Sequence, residues 1–523
     1  MSNKIFTSVS MRKPNQSTFD LTHDHKTSTK IGRLTPIMAM DILPGDMITI
    51  GADALLRFAP MLAPIMHRVD LTIHYFFVPN RILWDNWESF ITGTPDDNGD
   101  LHIPPFVEIL SNDNPDFISL CNYMGIPRPQ PPFLPEKISA LPLSAYNLIY
   151  NEYYRDQNLI EELPYKLNDV NNATIKDNYR LRKRAWEHDY FTSCLPFAQK
   201  GQSVDIPLGD VMLKDDWYSP TAENPNFVDI EGNTSNNFNQ PVTSSPDYLG
   251  VDPFFPAAYD PKGSLTVQST TINDLRRAYR LQEWLEKNAR GGTRYTEAIY
   301  SHFGVKSPDA RLQRPEYIVG VKTPVIISEV LNTTGPMKFW SEGGGTEDMG
   351  APQGDMAGHA MAVTQGKLGK YYAQEHGWII GILSVLPKTA YQNGIHKMFT
   401  RMDFMDYAFP SFANLGEQEV LKREIYAYAG TVSDELFGYI PRYAEYKFMN
   451  SIVSGQMAQQ LDFWHMGRKF ASAPNLNQNF IECDSTALDR VFAVQDGSDN
   501  LWLHVLNKVY AKRKLPFFGT PTI

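Results

Sequence analysis

Two basic clusters set among aromatic rings are the residues of this 523-residue chain with the clearest chemical potential. Lys512-Arg513-Lys514 follows Tyr510 and precedes Leu515-Pro516-Phe517-Phe518. Arg180, Arg182, Lys183 and Arg184 lie in the run YRLRKRAW, between Tyr179 and Trp186. Cations interleaved with rings suit single-stranded nucleic acid, with charge along the phosphates and rings under the bases. A charged edge that protects a sheet from unwanted pairing has the same composition. Lys512, Arg513, Lys514, Arg182, Lys183 and Arg184 are therefore candidate DNA contacts.

Catalytic signatures do not appear. Gly366-Lys367 is followed by Leu368 rather than Ser or Thr, and the upstream glycine spacing does not make a phosphate loop. There is no G-x-S-x-G elbow and no H-E-x-x-H. His23-Asp24-His25 could supply metal ligands but lacks a third strong one, so a solvated segment is expected. His67 and His74 flank or sit in a strand pattern and read as packing or hydrogen-bonding residues. Cys121, Cys194 and Cys483 stand far apart and read as small buried apolar groups, consistent with a reducing compartment. No metal, cofactor or catalytic residue is expected. The rival reading is a β-sandwich carbohydrate-active enzyme or carbohydrate-binding protein. Such an enzyme needs two carboxylates about 5–10 Å apart in a cleft, and sequence spacing identifies no such pair.

Composition points to many short elements. Apolar residues make up 42% and aromatics 12%, ample for a core, while 37 Pro and 34 Gly interrupt long helices and strands. The expected class is mainly β. Net charge is −11, which argues against DNA binding as the main source of stability; basic residues confined to one face would still admit a nucleic-acid partner. The N-terminus lacks an apolar signal core. The longest apolar run, Trp378 to Leu386, is about half of a membrane span. No membrane insertion is expected.

The elements that must position these residues follow from the pattern. Residues 1–30 are polar and basic-leaning and read as an N-terminal arm. From Ile31 to Trp87 the chain reads strand, tight turn at Asp41–Asp46, strand, apolar arm at Leu55–Met66, strand. Val69, Leu71, Ile73, Tyr75 and Phe77 alternate with polar residues, which predicts a half-buried strand. The apolar arm lacks a clean period, and a neighbouring subunit is one candidate to cover it. Pro127 to Pro135 must be extended. Helices are predicted over Leu143–Arg155, with Ser144 as candidate N-cap, and over Ile272–Asn288. Ser341–Gly358 is Gly-rich and reads as a flexible loop, and strands resume at Trp378 and Leu501. Residues 31–209 and 265–523 form the expected core. Residues 210–264 form a surface insertion rich in Asn, Asp, Ser, Thr and Pro. Its isolated rings, Trp217, Tyr218, Phe227, Tyr248, Phe254 and Phe255, are candidate contacts between copies of the chain.

Several stretches carry a family resemblance. They run from Thr7-Ser8-Val9 through His67-Arg68-Val69-Asp70 to Phe76-Phe77-Val78-Pro79-Asn80-Arg81, and include LPFAQKG from Leu195, RYTEAIYSHFGV from Arg294, SPDARLQRPE from Ser307, GYIPRYAEYK from Gly438 and Phe463-Trp464-His465. Together they resemble the major capsid proteins of microviruses, nearest to the gokushovirus branch. The resemblance implies an eight-stranded antiparallel jelly roll with long loop insertions. It implies self-assembly into a small T=1 icosahedral shell around circular single-stranded DNA. Segment 210–264 matches the insertion taken to form a protrusion at each three-fold axis. The implied partners are further copies of the chain, the genome, a small basic DNA-binding virion protein, scaffolding and pilot proteins, and a host surface receptor. The implied location is the virion, assembled in the host bacterial cytoplasm.

Overall fold

The computed structural model describes residues 16–95, 99–129, 136–201, 204–205, 211–213, 265–267, 271–292, 294–331, 337–340, 346–349, 356–427 and 434–518. The chain divides into two compact units, residues 1–198 with 291–523, and residues 199–290.

In the larger unit eleven strands build two antiparallel sheets: β1 (Ser17–Asp20), β2 (His23–Thr29), β3 (Thr35–Ile42), β4 (Met47–Phe58), β5 (Val69–Pro79), β6 (Glu316–Pro324), β7 (Ile326–Leu331), β8 (Met356–Gln365), β9 (Gly369–Tyr372), β10 (Gly377–Pro387) and β11 (Leu501–Arg513). In one sheet the order is β1–β11–β4–β8–β7, with β2 following β1 along the edge of β11 and β9 following β8 along β4. In the other the order is β6–β5–β10–β3. One core cluster joins the inner faces: Ile48, Ile50 and Leu56 of β4 with Leu503, Val505 and Val509 of β11, against Leu71, Ile73 and Phe77 of β5 and Leu383 and Val385 of β10. The chain is thus mainly β and a sandwich, because alternation on each strand supplies one apolar face to the same interior. One buried polar bond crosses it: the Tyr75 hydroxyl donates to Asn507 Oδ1 at 2.7 Å, and Asn507 Nδ2 donates to the Ile37 carbonyl at 3.1 Å.

Several expectations need correction. The strand at Val69 is not half-buried. Its second face carries Phe76 and Val78, which pack with Ile380 and Ile382 on a layer containing Trp84, Leu143, Tyr146 and Tyr150. The layer is supplied by distant residues, so the period of one strand could not reveal it. The apolar arm is covered only in part by this chain: Leu55–Phe58 completes β4, and Ala59, Met61, Ala63 and Ile65 are buried, while Leu62 and Met66 stay exposed. Residues 17–20 and 23–29 of the expected N-terminal arm are strands paired with β11. The helix starts earlier than expected, at Leu141, and runs as an α-helix to Ile149 and as a π-turn over Tyr150–Tyr154. Ser144 lies inside it, fully buried and hydrogen-bonded to the Tyr179 hydroxyl at 2.6 Å, so it is no cap. Within the Gly-rich stretch, Thr346–Met349 pairs with Met337–Trp340, and Met356 already begins β8.

The turn at Asp41–Asp46 forms as the residue types require. Gly45 has φ +88, and the Asp46 amide donates to the Leu43 carbonyl at 3.1 Å. The three cysteines are buried and none of them is in a disulfide. In the smaller unit Val211–Leu213 pairs with Leu265–Val267, and a helix runs from Ile272 to Gly291 before Gly292 at φ +97. Apart from Val211–Leu213, the expected 210–264 insertion, with Trp217, Tyr218, Phe227, Tyr248, Phe254 and Phe255, lies outside the described residues.

Two part-buried histidines make acid a threat to the fold. Burial holds both His67 and His74 down to about 4, from an ordinary value of 6.5, with nearby cationic charge adding to the effect. His67 Nε2 donates to the Lys388 carbonyl at 2.6 Å, and His74 Nδ1 meets the Tyr154 hydroxyl at 2.8 Å. The folded chain therefore resists protonation that the unfolded chain accepts. Stability should be full above about pH 6.5 and fall as pH drops towards 4, by on the order of 3 kcal/mol per histidine. Urea titrations between pH 7 and 4 check this. The His67→Gln, His74→Gln double variant should show a shallower decline; an equally steep one would exclude these two groups as the cause.

Candidate nucleic-acid interface

The two basic clusters meet different fates. Lys512 and Lys514 are exposed, but Arg513 is drawn inward. Its Nε lies 3.0 Å from Asp46 Oδ2, and its Nη2 donates to the Asp41 carbonyl at 2.9 Å. Asp46 is fully buried and also accepts the Leu43 amide at 3.1 Å. Arg513 therefore neutralises a buried carboxylate and pins the β3–β4 turn to the last strand. Next to it the Lys514 stem lies over Gly45: a Cβ there would fall 2.5 Å from Lys514 Cε. A side chain at position 45 would displace that lysine, apart from the strain of its φ.

Strand register assembles a surface around Lys512 that sequence reading missed. Lys512 is aligned with Met47, and Met47 with Tyr372; Tyr510 is aligned with Thr49, and Thr49 with Lys370. Lys370, Tyr372, Tyr510 and Lys512 are all exposed. Residues at matching parity on neighbouring strands share a face, so two lysines and two tyrosines stand together on the outer side of the sheet. Phe517 lies apart from this surface: it stacks on Phe19 at 6.0 Å between centroids, and Phe19 is aligned with buried Ala511, on the opposite parity to Lys512. The strand of Lys370 and Tyr372 is only four residues long, and its alternation became meaningful only through its pairing with β4.

Around Arg182 the reading changes. Arg182 is only 7% exposed. Its Nη2 donates to the Asn178 carbonyl at 2.5 Å, and its guanidinium lies 5.9 Å from the Tyr150 ring centre. Its backbone amide donates to the Tyr146 hydroxyl at 3.0 Å, while its carbonyl accepts from Leu34 at 2.9 Å. Burial, then repulsion from Arg180, lowers the basicity of its guanidinium. Arg184 Nη1 donates to Ser384 Oγ at 2.7 Å, and Lys183 pairs with Asp484 at 3.2 Å. The YRLRKRAW segment is thus a clamp that fastens the helical layer to β3 and β10, and Arg182 is almost wholly buried in it. A cavity of about 480 Å³ opens beside it; Lys30, Arg33, Arg128, Arg180, Arg182 and Lys183 line it against three carboxylates. One of these, Asp499, already accepts bonds from Ser28, Arg33 and Tyr123 at 2.8–3.0 Å.

The remaining candidates are structural. His23 and His25 each bond a backbone carbonyl, at 2.9 and 2.7 Å, while Asp24 pairs with His504 at 3.1 Å. Among the described residues no group of three or more His, Cys, Asp or Glu side chains could hold a metal ion. Among the same residues no helix is long and apolar enough to cross a membrane.

Residues 7–523 match the family described as capsid protein (F protein). The chain is 38% identical to capsid protein VP1 of Bdellovibrio phage phiMH2K, over 92% of this chain and 90% of that one. It is 33% identical to capsid protein VP1 of Chlamydia phage 1, over 99% and 97%. Against capsid protein VP1 of Spiroplasma virus 4 identity is 29%, over 95% and 94%.

The different placements of the three C-terminal cations carry an expectation. Arg513→Ala should destabilise the isolated chain by on the order of 2–4 kcal/mol, because Asp46 is left buried and unpaired. Lys512→Ala should stay within about 0.5 kcal/mol. Chemical denaturation of both variants measures the difference, and equal stabilities would contradict the anchoring role of Arg513.

Proposed function

Because this chain belongs to the capsid protein (F protein) family of phages, we propose that it builds a small T=1 icosahedral shell around a circular single-stranded DNA genome. It is a major capsid protein, a virion component that assembles with copies of itself. Full-length similarity to three phage capsid proteins is the observation that carries the reading. The gokushovirus branch, assembly in the bacterial cytoplasm, and the small basic, scaffolding and pilot partners are part of the same proposal. The work of such a protein is burial of surface between copies, with no bond made or broken.

A jelly roll is the proposed form of the sandwich, and strand order supports it. Take β2, β3, β4, β5, β6, β8, β10 and β11 as first to eighth. First then pairs with eighth, second with seventh and third with sixth, and fourth with fifth. The first and third of these pairs join in one sheet and the other two in the second. That is one long antiparallel hairpin wrapped into two layers, the route by which jelly rolls fold two sheets together.

The face bearing Lys370, Tyr372, Tyr510, Lys512 and Lys514 is the proposed DNA contact, in place of the Arg182 cluster. Exposed ammonium groups among exposed rings match a partner that offers both phosphates and unpaired bases. The Lys370→Ala, Lys512→Ala, Lys514→Ala triple variant should still form shells, while retaining several-fold less DNA and losing it at lower salt. Ultraviolet absorbance of purified particles across a salt series measures this. Particles with a full genome at every salt concentration would refute the contact.

Segment 210–264 is proposed as the surface protrusion, with host contact through its rings. Deleting it should leave the sandwich folded, by circular dichroism and melting, and should impair particle formation or host attachment. Normal assembly and infection by the deleted form would remove that role.

A further inference from the structure

Ten consecutive residues, Met402 to Ser411, are all exposed, and half of them are large and apolar. Such a run departs from ordinary solvent-facing loops, where polar turn residues dominate. Met402 is 88% exposed and Phe399 and Phe404 are each 69% exposed. Tyr407 is half exposed, and Phe448 and Met449, which follow the Tyr446 that meets Arg401 and Ala408, are exposed as well. At ~200 Å² per large side chain these six present roughly 700 Å² of apolar area. That exceeds the few hundred Å² usual for an apolar patch on a monomer and approaches the ~800 Å² that each partner of a standard interface contributes.

The segment is also fastened from beneath. The Arg401 guanidinium lies 4.1 Å from the Tyr446 ring centre and 5.7 Å from that of Tyr407. Its Nη2 is 3.4 Å from Glu445 Oε1, and Glu445 Oε2 accepts from Gln418 at 2.6 Å in the interior. Asp406 Oδ2 accepts the amides of Met402 and Asp403 at 2.8 and 2.9 Å. The hydroxyls of Tyr446 and Tyr443 accept the amides of Ala408 and Phe409 at 3.4 and 3.3 Å. Irregular backbone is therefore held in one shape while its apolar side chains point outward. A surface ordered before docking loses little conformational entropy when it docks.

We propose that the surface formed by residues 399–411 and 446–449 is a docking face for a second copy of this chain. The inference rests on the capsid reading and names a part of the molecule that this reading leaves unassigned. The occupant is argued from area and from self-association: a shell of identical chains must cover a comparable area on each copy, and this rigid patch supplies it. In a closed shell, contacts across a two-fold axis join like surfaces and contacts around three- and five-fold axes join unlike ones, so the patch meets either its own kind on the second copy or a complementary area elsewhere on it.

Two measurements test the proposal. First, Phe404 is replaced by p-benzoylphenylalanine, and assembled particles are irradiated. The expected product is a covalent pair of this chain; a link to another virion protein, or none, would overturn it. Second, the Met402→Asp, Phe404→Asp double variant should melt within a few degrees of the parent chain while losing at least ten-fold in the yield of sedimenting particles. Parent-like particle yield would overturn the proposal. Should the parent chain form no particles under any condition, the capsid reading itself would fail, and this inference with it. Particles that form normally with Phe404 uncrosslinked would sink the docking face alone.

Discussion

One strand near the end of the chain holds the larger unit together. Leu501–Arg513 is hydrogen-bonded along both edges, to β4 over Leu501–Lys512 and to β2 and β1 on the other side. Its inward residues, Leu503, Val505 and Val509, enter the core between the sheets. Its polar inward residue, Asn507, takes the Tyr75 hydroxyl across the interior. Its outward residues supply Tyr510 and Lys512, and its last residue neutralises Asp46. Scaffold, cross-sheet bond, exposed cations and turn anchor thus depend on one ladder. The same ladder explains why Arg513 and Lys512, adjacent in sequence, do different things. Alternation sends one outward and turns the other towards a buried carboxylate.

The second constraint is burial of the four-stranded sheet on both faces. Antiparallel sheets commonly leave one face to water. Here the far side of β5 and β10 is covered by the helix at Leu141–Ile149 and its surroundings. A cover of irregular chain brings polar backbone with it, and the structure meets that demand locally. The Tyr146 hydroxyl donates to the Leu34 carbonyl at 2.8 Å and accepts the Arg182 amide, and Asn151 pairs with Leu163 through both amide atoms, at 2.8 and 3.0 Å. Buried polar groups are tolerable when each finds a partner. Arg182, Lys183 and Arg184 belong to this layer, which is why they meet a carbonyl, a carboxylate and a hydroxyl of the chain itself, whereas Arg180 is exposed.

Sequence legibility followed the range of the interactions. The turn at Asp41–Asp46, the strands at Trp378 and Leu501 and the helix at Ile272 were readable because Gly45, strict alternation and helical spacing act within a few residues. What failed had distant causes. Ser144 looks like a cap until Tyr179, 35 positions away, claims its hydroxyl. The segment before Ile31 looks like a polar arm until β11, nearly 500 residues on, pairs with it. Of the candidate DNA contacts, Lys512 and Lys514 are exposed as the composition suggested, whereas Arg182 is not. Lys370 and Tyr372 carried no signal until the register put them beside Lys512. The family was legible from the ordered series of short stretches, which no single periodicity could have supplied.

The late position of β11 has a consequence for how the chain is made. Strands β1, β2 and β4 emerge early from the ribosome, yet β1 and β2 have no partner in their sheet until β11 has been synthesised. The sheet is therefore completed only once residues 501–513 are available, and until then long unpaired strand edges are open to wrong partners. Contacts spanning nearly the whole sequence also make folding slow. Copies made side by side would each carry those open edges until that strand was in place.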